Sequence, residues 1–351
     1  MPHCSEGAGF RVIARAKLTV FTLVFAALLA ALLPLDAAYV KAGDPSAHST
    51  PPPLPTLSPE AVPPRAARVT YAPSSADLVV VISLDGLRPD AITPALSGLH
   101  RLYLEGATPH FARTIDKSAT LPSHASMVSG VDPEAHGLNF NAYRPSNGNI
   151  ESPTIFSLVR NAGLPTAMFV GKSKLKHLLG RPGDAEFKMA GMFCEKLLRQ
   201  ALPHLQQAER GLLFLHFADP DSAGHRSGWM TETYLDAVRN VDRCLSKVID
   251  TIEDGGRADR TLLIVTADHG GHNRSHGTRL DVDARIPWFA WGAGTQRGRI
   301  GRNVHTTDTA ATVLAALGVP VPAEMHGQPV LEALGRIGPD GMPLVGTPVQ
   351  R

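Results

Sequence analysis

The sequence predicts an α/β domain with a central, mostly parallel sheet and helices on both faces, and three observations predict it. Short continuous apolar runs recur at 78–83, 167–170, 212–217 and 262–266. Because successive strand side chains point to opposite faces, an unbroken apolar run fits a strand buried on both sides. Helix-length patterns at 122–128, 152–162, 231–253 and 307–317 alternate with these runs, as in a sheet packed between helical layers. Clusters of Asp, His and Thr fall just after a strand or at a helix start, where doubly wound sheets gather their ligands.

Taken in order, the chain opens with Arg11, Arg15 and Lys17, then an apolar run at 18–35, then small residues at Ala37, Ala38 and Ala42. That order is a signal peptide's, and the run is also long enough for an uncleaved anchor. Residues 1–42 are therefore expected to export the chain to the periplasm or the extracellular space, with a membrane attachment only if the segment stays uncleaved. Residues 43–75 are proline-rich, including Pro51, Pro52, Pro53 and Pro55, and read as a semi-rigid linker. The catalytic domain is expected at 76–335 and a tail at 336–351. At 351 residues the chain can bury a full core, and 43% hydrophobic with 19% charged residues argues against general disorder. A net charge of +2 without a dense basic, aromatic-laced cluster implies no nucleic-acid polymer as partner. Cys4, Cys194 and Cys244 lack C-x-x-C spacing, so any metal uses oxygen and nitrogen ligands. Cys194 and Cys244 could pair after export, although sequence alone does not bring them together.

Four clusters carry chemistry. Asp85 follows the first strand, and Gly86 lets the backbone turn so that the carboxylate points into the cleft; an isolated Asp-Gly is otherwise an ordinary turn or cap. Thr120, in Lys-Ser-Ala-Thr-Leu-Pro-Ser-His, is placed as a helix N-cap with Pro122 in the first turn. A hydroxyl there sits beside free amides that stabilise a phosphoryl group. Asp221 and His225, after the third strand, can reach one ion if their segment turns helically. Asp268 and His269 follow the most apolar strand, and His272 and His276 come soon after. Imidazole is the commonest metal ligand, which makes this the most specific local signal. His100, His110, His177, His204 and His216 have no motif around them and read as surface or packing residues.

Together these clusters resemble the alkaline phosphatase superfamily and, within it, the nucleotide pyrophosphatase/phosphodiesterase branch, from about Val79 to Val330. The resemblance implies an alkaline phosphatase-like fold and two divalent metal ions. One would be held by Asp85, the nucleophile Thr120, Asp268 and His269, the other by Asp221, His225 and His276, with His272 or His305 as alternatives to His276. Thr-x-Pro-x-His and His136-Gly137-Leu138 also match and bring Asn141 to the family's phosphate-contacting asparagine. The chain departs from many relatives at Ser123, where they have Asn, and in a short segment before His276. Oxygen and nitrogen ligation favours zinc over manganese or iron.

The implied reaction is hydrolysis of a phosphodiester or pyrophosphate bond through a phospho-threonine, with a small phosphate ester, such as a nucleotide, as substrate. Asn141 and the helix amides would hold a non-bridging oxygen. A phosphomonoesterase of the same superfamily is the alternative. A sulfatase is disfavoured by the absence of Cys-x-Pro-x-Arg, and a tethered binding protein without turnover by the complete set of seven site positions.

Overall fold

The computed structural model describes residues 76–335. The expected leader at 1–42, linker at 43–75 and tail at 336–351 lie outside the described residues.

β1 (Leu78–Leu84) is the centre of the design, with all seven side chains buried. Its neighbours β6 (Gly211–Phe217) and β7 (Thr261–Thr266) are also buried throughout and run parallel to it. Alternate residues face opposite sides, so complete burial means that both faces are covered. The main sheet adds β2 (Ala107–Pro109), β4 (Thr166–Val170), β5 (Glu186–Met189), β9 (Trp288–Gly292) and β10 (Gly298–Ile300), in the order β10-β2-β9-β7-β1-β6-β4-β5. Only β9 runs against its neighbours β7 and β2. A smaller sheet orders β11 (Val304–His305), β3 (Ala112–Arg113) and β8 (Arg285–Ile286).

Two helical groups cover the sheet. α1 (Ser97–Glu105), α5 (Cys194–Gln207) and α6 (Asp219–Ser227) pack on α7 (Glu232–Asp254). Residues Tyr234, Val238, Val241, Leu245, Val248 and Ile252 of α7 recur every third or fourth position and are buried, as an amphipathic helix requires. In the second group α2 (Thr120–Ser129), α4 (Ile155–Asn161) and α9 (Asp308–Ala316) pack together. α4 is shorter than the 152–162 pattern because Thr154 caps it, accepting from the Ser157 amide while Ser157 Oγ takes the Thr154 amide. α3 (Pro133–His136) and α8 (Asp281–Ala284) are single turns. Among the described residues no helix is long and apolar enough to cross a membrane.

The pairing that sequence left open is present: Cys194, at the start of α5, is bonded to the fully buried Cys244 of α7, 50 residues away. In the chain-entropy account a closed loop of this length stabilises by about 4 kcal/mol. Reduction, or Cys244→Ser, is accordingly expected to lower the denaturant midpoint in equilibrium unfolding. An unchanged midpoint under reductant would show that the bond adds no stability.

Candidate metal centre

The carboxyl ends of β1, β6 and β7 lie side by side, and each delivers ligand-type residues. Asp85 follows β1, with its amide on Phe217 O at 2.9 Å. Gly86 turns the chain at φ +73, and a Cβ there would come within 3.0 Å of the Asp221 Cα. This contact lets β1 and α6 close on each other. After β6, α6 starts at Asp219, so Asp221 and His225 share a helix face, and the Asp221 amide bonds Asp85 O at 3.0 Å. After β7, the Asp268 Oδ1 accepts from the amides of Gly86 at 3.1 Å and His269 at 3.0 Å. Asp85, Asp268 and His269 form one group whose donor atoms lie within 4.8 Å of one another, and Asp221, His225 and His276 form a second.

Backbone carbonyls fix the tautomers. His225 Nδ1 lies 3.0 Å from Arg274 O, His269 Nδ1 2.8 Å from Gly270 O, and His276 Nδ1 2.8 Å from Ser118 O. A carbonyl only accepts, so each Nδ1 carries the proton and each Nε2 presents a lone pair. Those lone pairs converge: His225 Nε2 is 3.2 Å from His276 Nε2 and 3.3 Å from Asp221 Oδ1, and His269 Nε2 is 3.4 Å from Asp85 Oδ1 and 3.3 Å from Asp268 Oδ2. Asp85 Oδ1, Asp221 Oδ1 and Asp268 Oδ2 are buried without any hydrogen-bond partner. Acceptors facing acceptors in a buried site are unfavourable unless cations stand between them, so these residues fit divalent metals.

The charges are uneven. Burial pushes the Asp268 carboxyl well above the usual range, and the negative charge of Asp85 adds to it. For Asp85 burial acts the same way, but the Lys172 ammonium and the His216 hydrogen bond outweigh it and hold the group well below that range. Burial and Asp85 raise Asp221, yet the Lys172 ammonium outweighs them and holds it down, at about 2. Burial, with His276 alongside, depresses His269 to about 4.

Thr120 is not the N-cap that its sequence context predicts. It is the first residue of α2, and Ala119 occupies the cap without a side-chain bond. No cap is needed, because the Leu121 amide bonds Asn141 Oδ1 at 3.0 Å, Pro122 has no N–H, and the Ser123 amide bonds Ala119 O at 2.9 Å. The buried Thr120 Oγ1 is thereby left facing His269 Nε2, 3.4 Å away. The Leu121 and Ser123 amides are consequently not available to an anion. The Asn141 side chain has its oxygen fixed by the Leu121 amide, so its NH2 takes no part in that bond. His136 supports this arrangement: its Nδ1 accepts from the Leu138 amide at 3.1 Å, so Nε2 donates to Ser126 Oγ at 3.0 Å.

Neither alternative to His276 joins the second group. His272 Nδ1 bonds Asp283 Oδ1 at 2.7 Å, and His305 is exposed on β11. The Asp283 Oδ2 also accepts from the Thr278 amide and hydroxyl, so His272 and Thr278 brace the loop that carries His276. Two neighbours, His216 and Lys172, escaped the sequence reading, and a third, His124 at the end of Thr-x-Pro-x-His, had no role assigned to it. His216 is no bystander: its Nδ1 accepts from the Gly171 amide at 3.2 Å and its Nε2 donates to Asp85 Oδ2 at 2.8 Å. A histidine in an otherwise apolar strand was the available signal. His124 donates from Nδ1 to Thr120 O at 2.7 Å and accepts at Nε2 from Ser83 Oγ at 2.8 Å, tying α2 to β1. Lys172 places Nζ 2.6 Å from Asp85 Oδ2 and 2.5 Å from Asp221 Oδ2, one carboxylate from each group. His177, by contrast, packs as expected, bonded to Gly148 O and the Arg144 amide.

A family profile described as type I phosphodiesterase / nucleotide pyrophosphatase matches residues 79–286. The chain is 32% identical over 139 residues to a 2,3-bisphosphoglycerate-independent phosphoglycerate mutase of Clostridium beijerinckii, covering 37% of this chain and 25% of that protein. It is 24% identical over 217 residues to ectonucleotide pyrophosphatase/phosphodiesterase family member 3 of Rattus norvegicus, covering 55% of this chain and 24% of the relative. The match thus spans a quarter or less of these two relatives' lengths. Among solved structures, an inactive murine ectonucleotide pyrophosphatase/phosphodiesterase 5 in complex with AMP superposes with a TM-score of 0.60 at 15% identity, over 73% of this chain and 98% of that one. The shared fold is alkaline phosphatase-like.

Proposed function

This chain belongs to the type I phosphodiesterase/nucleotide pyrophosphatase family, and from that premise we propose that it is an exported, two-metal hydrolase of phosphodiester or pyrophosphate bonds acting through Thr120. The observation that carries the reading is the set of three buried, partnerless carboxylate oxygens facing imidazole lone pairs beside the Thr120 hydroxyl. Asp85, Thr120, Asp268 and His269 would hold one divalent ion, and Asp221, His225 and His276 the other. The oxygen and nitrogen donors favour zinc. Bound there, such ions supply Lewis-acid charge that makes a hydroxyl acidic and stabilises negative charge on attacking and leaving oxygens.

The chain's own residues do the remaining work. Thr120 Oγ forms a bond to phosphorus as the bond to the leaving oxygen breaks, and that oxygen departs with the electron pair and takes up a proton. Water then attacks the phosphoryl group on Thr120, restoring the hydroxyl and releasing the phosphoryl product, which for a diester substrate is a phosphate monoester. Asn141 donates from Nδ2 to a non-bridging oxygen, in an orientation held by the Leu121 amide on its Oδ1. His124 and His136 hold the helix and the turn on which these two groups stand. The AMP bound by the murine relative supports a nucleotide as one candidate substrate. The Cys194–Cys244 bond supports export, since such bonds persist in oxidising compartments, and N-terminal sequencing of the recovered protein decides it. Acid quench during turnover is expected to yield a peptide with phosphate on Thr120. Steady turnover that never labels this peptide, in a protein quenched before dephosphorylation can finish, would overturn the covalent route.

A further inference from the structure

We propose that Asp219 is a positioning residue for the second metal group, Asp221, His225 and His276, and that it fastens this group to the Cys194–Cys244 bond. This rests on the reading of that group as an ion site. Asp219 is the first residue of α6 and is buried, only 4% exposed. Its Oδ2 accepts from the Cys194 amide at 3.0 Å and its Oδ1 from Asn240 Nδ2 at 3.1 Å. Cys194 opens α5, and Asn240 lies about one turn before Cys244 on α7. One carboxylate therefore grips both helices that the disulfide joins. It does so beside the bond itself, since Asn240 Nδ2 also lies 3.4 Å from Cys194 Sγ.

The same helix carries the ligands. Asp221 follows two residues after Asp219, and residues so spaced on a helix point to different faces. Asp219 thus reaches the disulfide, while Asp221 and His225 share a face and converge with His276. α6 is only nine residues long, so a tilt or slide at its first turn moves Asp221 and His225 with it. A zinc contact to oxygen or nitrogen of about 2.0–2.2 Å leaves little room for such movement. The first group is anchored differently. Asp85 leaves β1, Asp268 and His269 follow β7, and the Gly86 and His269 amides hold the Asp268 carboxylate. Loss of the anchor at the disulfide should therefore be felt by one ion and not by the other.

Zn2+ binding by equilibrium dialysis tests this, with His225→Ala marking which ion is the second. Removing a group that orients a ligand typically weakens metal binding by about tenfold to a hundredfold. Asp219→Ala is expected to weaken the second ion by about that factor and to leave the first within about threefold. Asp219→Asn, which keeps one acceptor, should recover part of the loss. Cys194→Ala with Cys244→Ala breaks the bond without leaving thiols to bind zinc, and should weaken the same ion. In that background Asp219→Ala should cost less than it does in wild type, since both changes remove one anchor. The cysteine variant stands in should Asp219→Ala fail to fold. If His225→Ala loses one ion while Asp219→Ala, or the cysteine variant in its place, keeps both affinities or weakens both alike, this inference alone falls. If His225→Ala still binds two ions with wild-type affinity, the reading of the second group falls with it.

Discussion

Thr120→Ala is expected to fold, to keep its metals and to lose turnover by on the order of a thousandfold or more, the scale on which removal of a nucleophile acts. The fold should survive because the hydroxyl holds nothing in α2. Ala119 occupies the cap, Asn141 takes the Leu121 amide, and His124 bonds the Thr120 carbonyl rather than its side chain. If Thr120 merely stabilised a helix, the cost would be about 1 kcal/mol of stability with the rate intact. A folded variant with native metal content and a rate within about tenfold of wild type, about 1.4 kcal/mol in barrier, would remove Thr120 from the chemistry. Thr120→Ser should keep partial activity, since it retains the oxygen and loses only the methyl that restricts its rotamer. Parallel unfolding curves separate a lost rate from a lost fold.

The sheet centre was legible because β1, β4, β6 and β7 are short, predominantly apolar runs, and the segments after three of them carry Asp and His in tight motifs. The outer strands were not. β2 and β10 are three residues each, and β5 is largely exposed, so neither length nor alternation marks them. The ligand-type residues could be read because each sits beside its own strand. Lys172 could not be read, since only the parallel pairing of β4 with β6 brings the turn after β4 to Asp221. The same limit hid Asn141 as the partner of the Leu121 amide, which is why Thr120 looked like a cap. His276, and not His272, lies beside Asp221 and His225 for a comparably long-range reason: the buried Asp283, contributed by α8, holds His272 elsewhere.

Asp268→Asn offers the sharpest measure of the metal reading, because its effect on stability should change sign with metal. The amide oxygen can still accept from Gly86 and His269, so only the partnerless Oδ2 is lost as an anionic donor. Without metal, this carboxyl is held well above the usual range by burial and then by the Asp85 charge. The folded state thus keeps a proton that the unfolded chain gives up. Stability from this group is full below the ordinary carboxylate pKa and falls as pH rises towards the folded one. The metal-free variant should be more stable than metal-free wild type at neutral pH and should lack that part of the pH slope. With metal the order should reverse. Free ion at about a hundred times its Kd adds about 2.7 kcal/mol to wild type per site, and the variant forgoes most of this at the nucleophile-side site. Equilibrium dialysis should find about one ion fewer per chain in the variant, and turnover should fall by on the order of a hundredfold or more. A variant that binds as much metal as wild type, with the same metal dependence of its unfolding midpoint, would mean that Asp268 Oδ2 faces no cation, and the metal centre would have to be rebuilt without it.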